Sequence, residues 1–494
     1  MDAYDVIVVG AGNAAMCAAH AARERGASVL VLERAPIEER GGNTAFTAGA
    51  LRVAYEGVED LLELMPDLSE EERRNTDFGT YSAEQFFDDM ARVTQHRANP
   101  DLVELLVRES HPTLKWLRGK GFRFVPIYGR QAFKVDGKFK FWGGLTIEAW
   151  GGGPGLVEQH HKLAAASGIE VLYEAHVTSL LADDDGVRGV RVKVGGRTRE
   201  LGAKAVVLAC GGFQANADWR TRYLGPSWDL AKVRGTRFNT GDGLRMALEI
   251  GAQSCGNWSG CHAVSWDRNA PEFGDLSVGD GFQKHSYPWG IMVNAKGLRF
   301  VDEGADFRNY TYAKYGRVIL EQPGQFAWQI FDQKVAHLLR DEYRIRRVTK
   351  AQGQSLEELA GRLDDVDPER FLATVKEYNA AVDQSVPFNP TIKDGRGTRG
   401  LAVPKSNWAN TLDSPPYLAF AVTCGITFTF GGLRITTDGQ VVDTDGKTIP
   451  RLYAAGELVG DIFYFNYPGG TGLMSGAVFG KIAGAAAAAA AAGN

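Results

Sequence analysis

The sequence predicts an α/β chain, a Rossmann-type nucleotide-binding domain interrupted by an inserted α+β capping domain. Three observations predict it. A strand, a glycine turn, a helix and a second strand open the chain; strand-to-glycine turns return near its end; a stretch of different texture separates the two. The expected division is 1–257 for the first part of the nucleotide-binding domain, 258–429 for the cap and 430–494 for the return.

The opening unit is the most specific element. An apolar run, Tyr4 to Val9, leads into Gly10-Ala11-Gly12-Asn13-Ala14-Ala15 and an alanine-rich helical stretch to Arg25. A second apolar run, Ala27 to Leu32, is closed by Glu33. Gly10 suits the tight turn, Gly12 lets the backbone approach a pyrophosphate, and Ala15 permits close helix–strand packing. The helix start offers N–H groups and a positive dipole end to phosphates. Glu33, about 20 residues on, is placed to accept ribose hydroxyls.

Further along, Val171 to Glu200 alternates apolar and polar residues and breaks at Asp183 to Gly186, the pattern of hairpin strands. Ala205 to Ala209 reads as a buried strand running into Gly211-Gly212, and Thr240-Gly241-Asp242-Gly243 precedes an amphipathic helix from Leu244 to Gly251. Arg451 to Ala455 is another strand, ending in Gly456-Glu457. Asn466 to Gly472 then repeats the logic of a glycine-rich turn before a helix, Leu473 to Gly484, and suits a second part of the same cofactor. Between Trp258 and Thr429, helical periods are expected around Phe326 to Tyr343 and Gln354 to Ala381, with a Pro/Gly-rich loop from Val386 to Lys405.

Composition excludes several classes. The 494 residues are 44% hydrophobic and 23% charged, which is a soluble globular profile. A net charge of −5 carries no basic excess, so no nucleic-acid partner is expected. Five scattered cysteines give no disulfide framework, and Cys255, Cys261 and His262 do not have haem or metal-site spacing, so no metal is expected. Met1 to Asp5 lead straight toward a strand with no leader pattern, and the alanine tail Gly484 to Ala492 is too short for a membrane span. A cytoplasmic protein without membrane insertion is the expectation.

Taken together, Gly10 to Ala15, Gly41-Gly42-Asn43-Thr44, Ala209 to Phe213, Thr240 to Gly243, Leu452 to Glu457 and Gly469 to Leu473 resemble the flavoprotein subunits of fumarate reductase and succinate dehydrogenase. The resemblance covers nearly the whole chain. It implies a glutathione-reductase-like FAD-binding domain, with FAD extended from the N-terminal turn to the interface with the cap. The cofactor contacts it implies are Gly10, Gly12, Asn13, Ala14, Ala15, Glu33 and Arg34; Gly42, Asn43, Thr44 and Gly49; Val177, Gly211, Gly212 and Asp242; and Gly456, Glu457, Gly472 and Leu473. Relatives that tether FAD do so through a histidine near the segment 41–49, which here has none, so FAD is expected to be non-covalent.

The resemblance also implies the chemistry, a hydride exchanged with flavin N5 and a proton moved at the neighbouring carbon. His262 matches a substrate-gripping histidine, and Arg308 falls one residue later than the family's proton-transfer arginine. Arg317 is its rival. A second family histidine is replaced near Phe428, and the arginine of the last glycine turn is replaced by Tyr467, a third candidate for handling the proton. His285, Thr427 and Gly470 complete the expected substrate contacts. Arg234 to Asn239, Asp302 to Gly304, Tyr312 to Arg317 and Gly425 to Phe430 resemble the tricarballylate dehydrogenases of this family. They imply desaturation of a polycarboxylate such as tricarballylate to cis-aconitate, aided by Lys284, Arg308, Lys314 and Arg317, with electrons passed to a separate protein or diffusible acceptor. A ketosteroid-type dehydrogenase and a fumarate-reductase-like enoate reductase are the alternatives. A flavin-binding regulatory protein would leave the proton-handling candidates unexplained.

Overall fold

The computed structural model describes residues 3–493, so Met1 and Asp2, at the head of the expected first strand, lie outside the described residues. The first sheet is built around Ala3–Val9 (β1), which pairs in parallel with Val29–Leu32 (β2) on one side and Arg197–Leu208 on the other. Glu170–Leu172 continues the parallel order beyond β2, and Thr448–Ala454 pairs in parallel with the end of Arg197–Leu208. The expected hairpins appear as His176–Asp183, Gly186–Val194 and Arg197–Leu208 in antiparallel order. Val6 to Val9 and all of β2 are buried. Parallel strands covered on both faces read as continuous apolar runs for that reason.

Helix Asn13–Glu24 (α1) packs against the last helix, Thr471–Ala491. The contact is close because the last helix presents glycine: a Cβ at Gly480 or Gly484 would overlap the carbonyl oxygens of Ala14 and Ala18. The alanine tail continues this helix past the expected end at Gly484, as the best helix former should. By length and composition the helix could cross a bilayer, yet 61% of its apolar window is buried inside the fold. It serves here as a core helix that fixes where α1 begins.

A second, six-stranded sheet has Tyr417–Leu433 as its spine. Ser254–Asp267, Phe326–Phe331 and Lys350–Gly353 pair with that spine antiparallel, and Lys232–Val233 pairs with it parallel. The sheet therefore begins before residue 258 and runs past residue 429. The helix expected from Phe326 is a correction: Phe326–Phe331 is a wholly buried strand, followed by short 3₁₀ turns at Gln333–Leu338 and Asp341–Tyr343. A short apolar run does not distinguish the two, and pairing with neighbouring strands decides it. The second expected helical stretch divides into Leu356–Ala360 and Pro368–Ala381, the latter capped by Asp367 accepting from Arg370 N. The region between β2 and Glu170 adds helices Ala83–Val93 and Pro100–Gly119 and two small sheets. It carries Arg130, Gln131 and Leu145 to the cleft described next.

Candidate active site

One cleft runs from the glycine turn after β1 to a cluster of arginine, histidine and tyrosine side chains. Gly10 makes the turn at φ +106°, and a Cβ there would stand 2.5 Å from Ala209 O, so conformation and space both require glycine. Gly12, the N-cap of α1, is extended, no side chain caps the helix, and its first turn holds no acid. Its positive end is left for an anion. Asn13 N donates to Thr44 Oγ1 at 3.0 Å, and the Asn13 amide donates to Leu473 O at 2.7 Å. The helix start is thereby tied to the turn of Gly42, Asn43 and Thr44 and to the last helix.

Glu33 accepts from Ala11 N at 2.9 Å and Ala35 N at 2.8 Å, and burial pushes its pKa up despite those bonds. Arg34 donates to Thr240 Oγ1 and to Asp242 at 2.7 Å, with Val177 and Gly211 beside them on the wall. Farther along, Glu457 accepts from Thr429 N at 2.8 Å, and burial raises it to about 7. Gly456, Gly472 and Leu473 line the same stretch as Ala14. These residues fit a dinucleotide: a turn without side chains for the phosphates, an acid at a strand end for the ribose, and a second glycine turn for a flat ring.

Three residues expected to touch the cofactor are not on the wall. Ala15 is fully buried in α1, where its small side chain serves packing. A Cβ at Gly212 would overlap Thr429 and Glu457, and one at Gly49 would meet the Gly152 backbone at 2.5 Å. Both glycines make room for neighbouring protein.

At the other end the cleft is polar. Arg308 Nη1 donates to His285 Nδ1 at 3.1 Å, and Arg308 Nη2 donates to Arg130 O at 2.9 Å. Because arginine only donates, His285 Nδ1 must accept, and the neutral ring carries its proton on Nε2. That Nε2 is buried with no protein partner. Burial, reinforced by the Arg308 charge, holds the His285 pKa well below the usual histidine range. Burial also lowers Arg308, and among the described residues no carboxylate lies within ion-pair distance of it. By contrast, Arg234 and Arg130 share Asp280: Arg234 Nη2 donates to Oδ1 at 2.7 Å and Arg130 Nη1 to Oδ2 at 2.8 Å.

Tyr312 Oη and Tyr467 Oη are 2.8 Å apart. One phenol donates to the other, so the acceptor's own O–H has no acceptor among the described residues and is free for a ligand. Burial keeps both phenols protonated, raising Tyr467 well above its ordinary value, and the neighbouring Tyr312 adds to that rise. His262 lies edge-on to both rings at 4.8 Å, with both its nitrogens buried and unpartnered. Burial, then the Arg234 charge, pushes its pKa well below the ordinary value. Thr427 and Gly470 line this end too.

Arg317 stands elsewhere: its guanidinium donates to Ser259 O and lies 5.4 Å from the Trp228 ring, outside the cleft. Lys284 Nζ is spent on the carbonyls of Gly281, Phe282 and Gln283, and Lys314 is not on the wall either. Sequence reasoning missed Arg130, Asp280 and Tyr312 as site residues. Only the Gly279-Asp280-Gly281 loop, an acid between two glycines just ahead of His285, offered a local signal.

The profile of the family described as FAD binding domain matches residues 5–473. The chain belongs to that FAD-binding family. A probable fumarate reductase of Shewanella frigidimarina (strain NCIMB 400) is 30% identical over 491 residues, covering 97% of this chain and 74% of that protein. The open conformation of a flavocytochrome c3 fumarate reductase matches with a TM-score of 0.73 at 27% identity, over 99% of this chain and 79% of that one. A 3-ketosteroid Δ1-dehydrogenase from Sterolibacterium denitrificans shares the fold, with a TM-score of 0.75 at 22% identity over 99% and 100% of the two chains. This chain is therefore a flavoprotein with FAD as cofactor and the fold of the fumarate reductase flavoproteins, an oxidoreductase acting on carbon–carbon bonds.

Proposed function

We propose that the protein reduces a carbon–carbon double bond conjugated to a carboxylate in a small organic acid, the second sheet acting as a cap over the substrate. The carrying observation is the Arg308–His285 pair, a guanidinium without a carboxylate beside a buried Nε2–H without an acceptor. A buried guanidinium without a counter-charge and a buried N–H without an acceptor are both costly unless a ligand answers them, and a carboxylate answers both. When bound, FAD supplies the hydride through its N5. The residues of the glycine turn, Glu33 and Arg34 would hold its nucleotide half, and the turn of Gly470 and Gly472 its ring end.

Arg308 clamps the carboxylate and polarises the double bond, while Tyr467, backed by Tyr312, gives a proton to the carbon next to the one that receives hydride. The raised tyrosine pKa keeps the proton in place for delivery, which favours reduction over desaturation. Three guanidiniums against one carboxylate leave room for one or two substrate carboxylates more readily than for the three of tricarballylate. A ketosteroid-type reaction is favoured only by the spare tyrosine proton and would leave Arg308 and His285 unpaired. Electrons come from a separate protein or a diffusible donor.

The test is anaerobic. Dithionite-reduced holoenzyme is mixed with unsaturated mono-, di- and tricarboxylates and with neutral enones, and the return of oxidised flavin is followed. Reoxidation by at least one unsaturated acid, weakened in Arg308→Ala, is expected. Reoxidation by neutral enones alone would sink the reading.

A further inference from the structure

We infer that the substrate is anionic at one end only, with a flat, uncharged group at the other. This rests on the preceding reading of the site and narrows it to a class of substrate. Successive contacts order the side chains along the cleft. Arg308 bonds His285 and lies 6.0 Å from the Tyr312 ring. His285 lies 5.0 Å from Tyr312, whose hydroxyl meets Tyr467. Tyr467 in turn stacks on Phe428, with centroids 6.2 Å apart and planes at 21°. Phe428 continues into Phe463 at 5.6 Å and is the cross-strand partner of His262. The tyrosine pair and His262 thus stand between a cationic pole at Arg308 and an aromatic pole at Phe428.

The charges at the cationic pole are not interchangeable. Arg130 and Arg234 each have Asp280 as an acid partner, which leaves Arg308 as the guanidinium without one among the described residues on this wall. At the aromatic pole the side chain on the wall is Phe428, backed by Phe463, beside the turn of Gly470 and Gly472 that is left to the flavin ring. A second carboxylate there would leave water for an aromatic face, which a binding site penalises strongly. A vinyl or aryl tail stacks on Phe428 instead. An enoate held by its acid head at Arg308 then has its double bond beside the tyrosine pair, where the free phenol proton is available.

The experiment ranks four acids that share the enoate: acrylate with one carboxylate and no tail, cinnamate with one carboxylate and an aryl tail, fumarate with two and cis-aconitate with three. Reoxidation of the reduced holoenzyme gives kcat/KM, and flavin difference spectra of the oxidised holoenzyme give Kd for each acid. Cinnamate should exceed fumarate in kcat/KM by at least about tenfold and exceed cis-aconitate further, with acrylate behind cinnamate through a higher Kd. Phe428→Arg should reverse the cinnamate–fumarate order at unchanged FAD content. If that variant loses FAD, Phe428→Leu should still erase the preference for cinnamate over acrylate. Preference for fumarate or cis-aconitate in the wild type overturns this inference and leaves the carboxylate-enoate reading standing. Turnover of neutral enones alone overturns both, and failure of cinnamate to bind the oxidised holoenzyme overturns the inference without any turnover.

Discussion

Gly10 and Gly12 are two residues apart and should fail in opposite ways when given a side chain. At Gly10 the backbone sits at φ +106° and a Cβ would stand 2.5 Å from Ala209 O. Gly10→Ala therefore meets strained backbone, about 1–3 kcal/mol, and an overlap with a rigid strand end that costs roughly as much again. At Gly12 the backbone is ordinary for any residue, and a Cβ would lie 3.4 Å from Gly41 O and 3.5 Å from Thr44 Oγ1. Within the protein itself, Gly12→Ala should cost no more than about 1 kcal/mol, most of it the poorer N-cap. In the holoprotein the new methyl should meet the phosphate expected at the helix start. Both variants and wild type are stripped of flavin and melted with and without added FAD. Wild type should gain about 2.7 kcal/mol when FAD stands a hundredfold above its Kd. Gly12→Ala should melt like the wild-type apoprotein yet gain little from FAD, whereas Gly10→Ala should melt lower before FAD is added. Full FAD binding by Gly12→Ala would refute the phosphate assignment, and an unshifted Gly10→Ala apoprotein would refute the packing argument.

Acid precipitation should leave yellow FAD in the supernatant, and flavin retained by the precipitated chain would contradict a non-covalent cofactor. Tyr467→Phe should lower kcat by about 10²–10⁴ with little change in KM, and Arg308→Ala should chiefly raise KM; the reverse pattern would move the proton to Arg308. Acid should loosen the cofactor cradle. His20 stacks on His160 at 5.4 Å, and His160 Nε2 meets Asn13 Oδ1 at 3.0 Å. Burial lowers His20 to about 3 and His160 well below its ordinary value, so both are neutral when folded. The stability they hold is complete above the unfolded histidine pKa of about 6.5 and drains away as pH falls from there toward 3. Melting temperature and FAD retention should therefore fall together between about pH 7 and pH 4, and His20→Phe should flatten that slope; a flat wild-type profile would remove the histidine stack from the account.

The cofactor half of the site was legible because its signals are local. Gly10, Gly12 and Glu33 act through the turn, helix and strand that contain them, so spacing alone conveys their roles. Gly49 and Gly212 show the limit: a glycine that admits a ligand and one that makes room for neighbouring protein look alike in sequence. The substrate half comes from separate lengths of chain. Arg130 arrives from a short helix, Asp280 and His285 from a loop of the second sheet, Arg308 and Tyr312 from the segment entering a helix, and Tyr467 from the turn before the last helix. Which arginine is free depends on which is nearest Asp280, and no spacing rule encodes that. Arg317 and Arg308 are equally basic in sequence. In the fold, one is a tie between a strand and a helix, and the other faces the cleft bonded to His285 and to the Arg130 carbonyl, with no acid partner among the described residues. The tyrosine pair follows the same logic, because a hydrogen bond across 155 residues leaves one of the two phenol protons over. The reaction class thus follows from local motifs, while in the proposed reading the choice of substrate rests on the order in which distant side chains meet: guanidinium, histidine, two phenols, then phenylalanine.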